Sequence, residues 1–368
     1  MQKKAGIITH YDVHNHGAHL QLYALTKVLD ALGYQAKALR YQKNYDFMEE
    51  NISKKYNISL TSIPTYFKYL FRKGVGITIY NIRKRSSLKK FRVKQNLIGE
   101  YYSHAKNLEL VVIGSDEIFS IEPGLNPCFF GMGIPCKKII SYAASFGPTT
   151  KDFIEKMNAK EFISAGLKNL SNCSVRDENS QLIVQAFTGN KPIIVCDPVL
   201  LYGYREEIVQ AKKNKKKEKY ILVYSYDKTM NEIEYVVKIK AYAKAKGFKL
   251  YSVGFYHKWC DKNINTAPLD IFDWFINAQE VITDTFHGAV LSIVTNAHLF
   301  VKLKNSNRNK LLWLMKEYGL EDRVLEDFSE LESISKKNID FDKLNSLIDQ
   351  RREYSLKYLQ NCLKENDM

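Results

Sequence analysis

The stretch Val281-Ile-Thr-Asp-Thr-Phe-His-Gly-Ala-Val-Leu-Ser292 joins a proton-transfer side chain to the local signals of an anion site. An apolar pair runs into a short polar turn, His287-Gly288 follow, and the apolar run after them predicts the first turns of a helix. Strand, tight turn and helix start bring backbone N–H groups and the positive end of the helix dipole to one point. His287 stands at that point and changes charge near neutral pH. The Gly288 and Ala289 amides are the expected anion donors, with Asp284, Thr285 and Phe286 forming the turn. The competing reading is a structural β–α turn whose histidine only caps the helix or fills the core.

Other polar residues stand at the ends of apolar runs. Arg176 follows Cys173-Ser-Val175, and a buried arginine needs a partner. Asp177 or Glu178 supplies one structurally; otherwise the guanidinium is available to an anionic ligand. Asp116 follows a buried run and Gly114, where it bonds a ligand hydroxyl, takes its proton as a catalytic base, or caps the next turn. His10, His14, His16 and His19 form a cluster with metal-like spacing, but Asp12 is the only acidic residue near them and no cysteine joins. No metal or cofactor is expected. Phosphate-loop and dinucleotide signatures are absent.

The elements that must position these residues read as a β/α series. A strand at 5–9, a helix over 20–33 and a strand at 35–39 predict a parallel sheet. Apolar strands at 108–113, 138–144, 172–177 and 192–198 each end in a small polar turn, where open α/β sheets collect ligands. A second series follows: strands at 220–225, 249–253, 280–283 and 298–301, helices over 230–246 and 269–278, then helices from Asn309 and over 341–364. The expected organisation is a domain at 1–205, a Lys-rich solvated linker at 206–219, a domain at 220–340, and a last helix at 341–368 returning toward the first domain. The expected fold is α/β, with two Rossmann-like parallel-sheet domains facing a cleft, as in the glycosyltransferase-B architecture. Two independent domains are the alternative.

Composition narrows the partners. The 368 residues are 45% hydrophobic, enough for full cores, and no apolar run reaches membrane-span length. The six cysteines are scattered without a CxxC, which predicts reduced thiols in the cytoplasm. Met1-Gln-Lys-Lys-Ala-Gly-Ile-Ile reads as a strand start and not as a signal peptide. The net charge is +15, and residues 51–99 hold 12 Lys and Arg with no acid, interleaved with aromatics such as Tyr56, Phe67, Tyr80 and Phe91. This insertion (about 45–105) is expected to be mostly helical, broken at Pro64 and Gly74–Gly76. A basic, aromatic surface suits an anionic membrane face or a lipid-diphosphate substrate first, giving peripheral attachment at the inner membrane face. A solvated insertion without partner comes next, and nucleic acid ranks last.

Six motifs in one order resemble the polysaccharide pyruvyl transferase family. They are Asn15-His-Gly17 with Leu20-Gln-Leu-Tyr-Ala-Leu25; Val112-Ile-Gly-Ser-Asp-Glu-Ile-Phe119; Ser141-Tyr-Ala-Ala-Ser-Phe-Gly147; Ser174-Val-Arg-Asp177; Asp197-Pro-Val-Leu-Leu201; and Thr283-Asp-Thr-Phe-His-Gly288. The resemblance implies transfer of the enolpyruvyl unit of phosphoenolpyruvate to a saccharide, as a ketal on a surface polysaccharide or its lipid-linked precursor. It implies His287 as the proton donor and a cation on the loop some twenty positions beyond. Arg308 is the first choice there, because its forked donors match phosphate and carboxylate, and Lys310 the second. Asn15, Gly17, Ser115 and Ser145 are the expected acceptor contacts beside Asp116, with Gly17 permitting close backbone approach. The sequence departs from the family's Asp-Arg-Leu-His at one charged position: Thr285 stands where the arginine would be. That shifts weight for the donor anion onto Arg176. The other readings are a nucleotide-sugar glycosyltransferase, with Asp270, Asp273 or Glu280 on a ribose, and a non-catalytic basic protein binding membrane or RNA.

Overall fold

The computed structural model describes residues 3–42, 74–226, 229–304 and 307–364. The first sheet comprises β1 (Lys3–Ile8), β2 (Tyr34–Arg40), β3 (Ile98–Tyr101), β4 (Leu110–Ile113) and β5 (Ile139–Ser141). Helix α1 (His16–Ala31) joins β1 to β2, and α2 (Val75–Lys94) precedes β3. All strands are parallel in the order β3-β2-β1-β4-β5. Helices α3 (Lys151–Lys156) and α4 (Lys160–Lys168) lead to a short parallel pair, β6 (Ser174–Val175) and β7 (Ile193–Ile194), with α5 (Glu178–Thr188) between them. Bridges Ile140–Asn172 and Ala144–Val175 attach this pair beside β5. Helices α6 (Pro198–Tyr202) and α7 (Arg205–Lys213) follow.

The second sheet contains β8 (Tyr220–Tyr224), β9 (Lys249–Val253), β10 (Lys262–Ile264), β11 (Glu280–Thr283), β12 (Leu299–Lys302) and β13 (Val324–Leu325). Its helices are α8 (Ile233–Lys246), α9 (Ile271–Ile276), α10 (Phe286–Val294), α11 (Arg308–Glu317) and α12 (Leu331–Ser335). The order β10-β9-β8-β11-β12-β13 is again wholly parallel. Central strands of sheets covered on both faces read as unbroken apolar runs. Leu110-Val-Val-Ile113 and Tyr220-Ile-Leu-Val-Tyr224 are buried at every position.

One apolar cluster runs through both halves, joining Leu20 and Leu22 of α1, Val199–Leu201 of α6, and Phe286, Ala289 and Val290 of α10. The last helix, α13 (Phe341–Lys364), leaves the second sheet and lies against the first half. Its Ser355 hydroxyl accepts from the Cys196 amide at 2.9 Å, and Tyr358 donates to the Ser141 carbonyl at 2.9 Å.

Three expectations change. The Lys-rich stretch is helical as far as Lys213, because Glu206 and Glu207 in the first turn of α7 and Lys212 and Lys213 in its last complement the helix dipole. The strands expected at 172–177 and 192–198 shrink to two residues, since Asp177 and Asp197 turn the chain into α5 and α6 as N-caps. The aromatics described in the basic insertion are not surface groups: Tyr80 donates to the Ile264 carbonyl at 2.8 Å, and Phe91 is buried against Tyr23. Pro64 and the rest of 43–73 lie outside the described residues.

Candidate active site at the facing strand ends

Strand order reverses between β1 and β4 in the first sheet and between β8 and β11 in the second. Ligands of open parallel sheets collect at such switch points, outside the carboxyl ends of the strands. Here the two switch points meet. A Cβ placed on Gly17, in the first turn of α1, would lie 2.2 Å from Cγ of His287, in the first turn of α10. Two helix N-termini therefore face one another, and glycine is the residue that lets them approach.

Arg176 organises the floor of this seam. It is buried, and its terminal nitrogens reach Asp197 at 3.2 Å and Asp116 at 3.3 Å. Its guanidinium carbon stacks 4.0 Å from the centre of the Phe286 ring. The Asp197 carboxylate also receives the Val199 amide at 3.0 Å and lies 3.4 Å from the Ser115 hydroxyl and 3.7 Å from His287 Nε2. Burial alone would raise both carboxyls. For Asp116, the charges of Arg176, His287, His10 and Lys310 outweigh burial and hold it well below the usual range. For Asp197, His287 and Arg176, with the Val199 amide, outweigh burial and lower it. Asp177 and Glu178, the partners nearest in sequence, do not pair with Arg176. Asp177 is spent on the α5 cap at Ser180 and on the Ser145 hydroxyl at 2.6 Å.

The start of α10 differs from expectation. The Gly288 amide donates to the Thr285 hydroxyl at 3.0 Å and the Ala289 amide to the Thr285 carbonyl at 3.1 Å, so neither is open to an anion. Thr285, which replaces the family arginine, is the helix cap. The amides of Phe286 and His287, two residues earlier, are the ones a helix leaves without an internal acceptor. His287 is 5% exposed, and its Nε2 has no hydrogen-bond partner within reach. Asp284 pairs through one oxygen with Lys304 and leaves the other buried without a partner. Arg308, expected on the donor anion, is exposed at the first position of α11 with no ion pair among the described residues, whereas Lys310 spans the cleft to Glu117. The difference is helical phase: two positions along α11 turn the side chain through roughly 200°.

The acceptor-side expectations also divide. Asn15 caps α1 by accepting from the Gly17 amide at 2.8 Å and bridges the cleft to the Tyr226 hydroxyl at 3.3 Å. The open face of Gly17 is filled by His287, leaving no room there for a ligand. Ser115 is fully buried beneath Asp197, and Ser145 is buried between Asp177 and the Gly147 amide; neither faces the cleft. Asp116 does, with a partly exposed side chain. His16 is locked to the Thr266 carbonyl at 2.9 Å, and His19 to the Asn15 carbonyl at 2.8 Å and Arg92 at 3.0 Å. His10 meets the Glu117 carbonyl at 3.3 Å. Among the described residues no group of three or more His, Cys, Asp or Glu is placed to hold a metal. Glu280 opens β11 at the end of the sheet away from the cleft and accepts from Tyr242 at 2.8 Å; Asp273 pairs with Lys216.

Sequence reasoning gave no role to Asp197 or Tyr226 and passed over Lys304. Asp197-Pro198 signals a helix cap, which it is, but not a bond to both Arg176 and His287. Tyr226 carries no pattern at all; it follows β8 and reaches Asn15 across the seam.

Arg176, Asp116, Asp197, Tyr226 and His287 fall within residues 15–301, which match the family model named Polysaccharide pyruvyl transferase; Lys304 and Lys310 lie just beyond them. The chain belongs to the polysaccharide pyruvyl transferase family. Family membership makes it a transferase with a saccharide acceptor. No curated protein matches it by sequence. Its solved structural neighbours are glycosyltransferase-B-like. UDP-N-acetylglucosamine 2-epimerase from Rickettsia bellii is 9% identical, TM-score 0.51, over 100% of this chain and 97% of that one. Arabidopsis thaliana UGT89C1, complexed with UDP-L-rhamnose, is 12% identical, TM-score 0.51, over 99% of each. A putative UDP-N-acetylglucosamine 2-epimerase from Listeria monocytogenes is 8% identical, TM-score 0.51, over 99% and 96%. At these identities the likeness is one of fold. No described helix of this family member is long and apolar enough to cross a membrane.

Proposed function

We propose that this transferase moves the pyruvyl unit of phosphoenolpyruvate onto two hydroxyls of one saccharide, as a ketal, in the cleft between the two sheets. The carrying observation is the unpartnered Nε2 of buried His287, set between Asp197 and the start of α10. Protonation of the donor's methylene carbon by His287 makes its C2 electrophilic. One sugar hydroxyl adds there, phosphate leaves, and the second hydroxyl closes the ketal. The proton gained by carbon is balanced by the first hydroxyl's proton; the second departs with phosphate. A positioned acid of this kind contributes ~10²–10⁴ in rate.

The donor's anionic groups would meet the Phe286 and His287 amides, Lys310 and Arg176. Each of these cations already holds a carboxylate, so donor binding exchanges Glu117 or Asp116 for phosphate or carboxylate. Before the donor binds, Arg176 and the neighbouring cations hold Asp116 as a carboxylate. Its role is to accept a hydrogen bond from an acceptor hydroxyl and orient it. We place the acceptor on a lipid diphosphate, in keeping with the basic insertion.

The test is phosphate release from phosphoenolpyruvate in the presence of oligosaccharide acceptors, with mass analysis of the product. The expected product is the acceptor plus pyruvate less one water. Transfer from a nucleotide sugar, with phosphoenolpyruvate inert, would replace this reading by glycosyl transfer.

A further inference from the structure

The outer face of α2 does not belong to the cleft. Four of the ten exposed large apolar side chains among the described residues lie on this helix: Val75 (65% exposed), Ile79 (45%), Ile82 (63%) and Val93 (72%). At ~100° per residue all four fall within about 40° of the direction opposite Lys84. Exposed Ser86 lies within the same arc, and five exposed cations flank or enter it, Arg85 and Lys89 on one side and Arg83, Lys90 and Lys94 on the other. Among the described residues none of these five forms an ion pair, and the helix has no acidic residue.

The inner face fixes α2 across the mouth of the cleft. Near its start Tyr80 and Asn265 hold it to the β10 end of the second sheet, at 2.8 and 3.0 Å, and Lys84 stacks 4.2 Å from the Phe255 ring. Near its end Arg92 binds the Tyr11 carbonyl at 2.9 Å and Asp12 at 2.8 Å, on the loop that leads into α1. The strip is therefore a rigid outward face beside the active site.

We infer that the outer face of α2 docks the enzyme on an anionic lipid surface, with Val75, Ile79, Ile82 and Val93 entering the headgroup region and the flanking cations meeting lipid phosphates. Aliphatic side chains set among cations on one outward helix face suit the headgroup region of an anionic bilayer. Single-stranded nucleic acid would require exposed aromatic platforms, and both aromatics of α2, Tyr80 and Phe91, point inward. A second copy of the same face would bring five cations against five. The inference deepens the reading of a lipid-borne acceptor, because docking here brings the cleft mouth to the bilayer; its readout does not depend on turnover.

The test is flotation of the full chain with vesicles of phosphatidylglycerol and phosphatidylcholine, against phosphatidylcholine alone and a fluorescent single-stranded RNA. Binding to the anionic vesicles only is expected, weakening with salt. Ile79→Asp/Ile82→Asp should lower affinity at least tenfold, and Lys89→Glu/Lys90→Glu by on the order of fivefold per cation. Both sites are exposed, and a wild-type melting temperature confirms folding. Indifference to anionic vesicles overturns the inference, as does binding unchanged in both folded variants. RNA binding without vesicle binding overturns it in favour of nucleic acid. Vesicle binding without phosphate release leaves the surface standing and removes the pyruvyl reading.

Discussion

Each sheet offers a helix start to the cleft, and each start carries histidine beside glycine, yet the two are built for different work. In α1, His16 and His19 are buried and bonded to carbonyls. Burial is the main reason their pKa values fall, to about 3 and about 4, with Lys84 and Arg92 adding to it. In α10, His287 is nearly as buried but its Nε2 faces the carboxylate of Asp197 at 3.7 Å, whereas the unbonded Nδ1 of His16 meets no carboxylate among the described residues. The glycines differ in the same sense. Gly17 clears space for the histidine of the other half, whereas Gly288 clears space for its own cap, where a Cβ would sit 2.1 Å from the Thr283 hydroxyl. A site on a seam needs one wall spent on holding shape, so that the other can leave polar groups unsatisfied at a cost of about 1–3 kcal/mol each.

The sharpest break of this contrast is Gly17→Ala. The new methyl is harmless to α1 itself and improves its helix propensity, but it occupies the place of the His287 ring. Turnover should fall by ~10²–10⁴, as for His287→Ala, with stability lowered by about 1–3 kcal/mol and the fold retained. Near-normal turnover in folded Gly17→Ala would end the claim that the seam sets His287. Arg176→Met comes next. It removes the guanidinium partner of buried Asp197 and of partly exposed Asp116, and denaturant titration should show a loss of about 3–5 kcal/mol.

The third prediction is a pH effect from the scaffold wall. The folded-state values of His16 and His19 lie below the unfolded 6.5, so below pH 6.5 the unfolded chain binds more protons and stability falls with pH. The loss runs from about pH 6.5 down to about 4 and amounts to roughly 2–4 kcal/mol between pH 7 and 5. Asp116 and Asp197 lose their contribution only below the ordinary carboxylate range, outside this window. Buried carboxyls raised above their usual value, such as Glu317, pull the other way. The histidine share is therefore read as the difference between wild type and His16→Gln, whose pH slope should be shallower. The smallest effect separates the two basic-loop candidates. Arg308→Ala should leave KM for phosphoenolpyruvate within about twofold, while Lys310→Ala raises it up to about fivefold, roughly the worth of one partly exposed ion pair.

Local rules carry far in this chain. Apolar strands ending in small polar turns spell out the parallel β/α series, and the order of residues in Asp284-Thr-Phe-His287 is enough to mark a strand-to-helix turn. Local rules also misplace the anion donors, because Thr285 satisfies the very amides its own turn exposes. Arg176 is legible as a buried arginine, but its partners, Asp116 and Asp197, come from other strand ends. Ser145 stands in a motif beside cleft residues and is an internal brace.

By itself the sequence determined the two parallel series, the helix starts, the histidine at the switch point and a cationic insertion without acid. Those properties follow from periodicity, capping and charge within a few residues of each other. Only the tertiary structure decided that His287 lies against Gly17, that one arginine ties two carboxylates, that Lys310 pairs with Glu117 of the other half, and that the aliphatic side of α2 faces outward. Each of these depends on distances between segments remote in the chain, which packing of the two halves sets and no local pattern encodes.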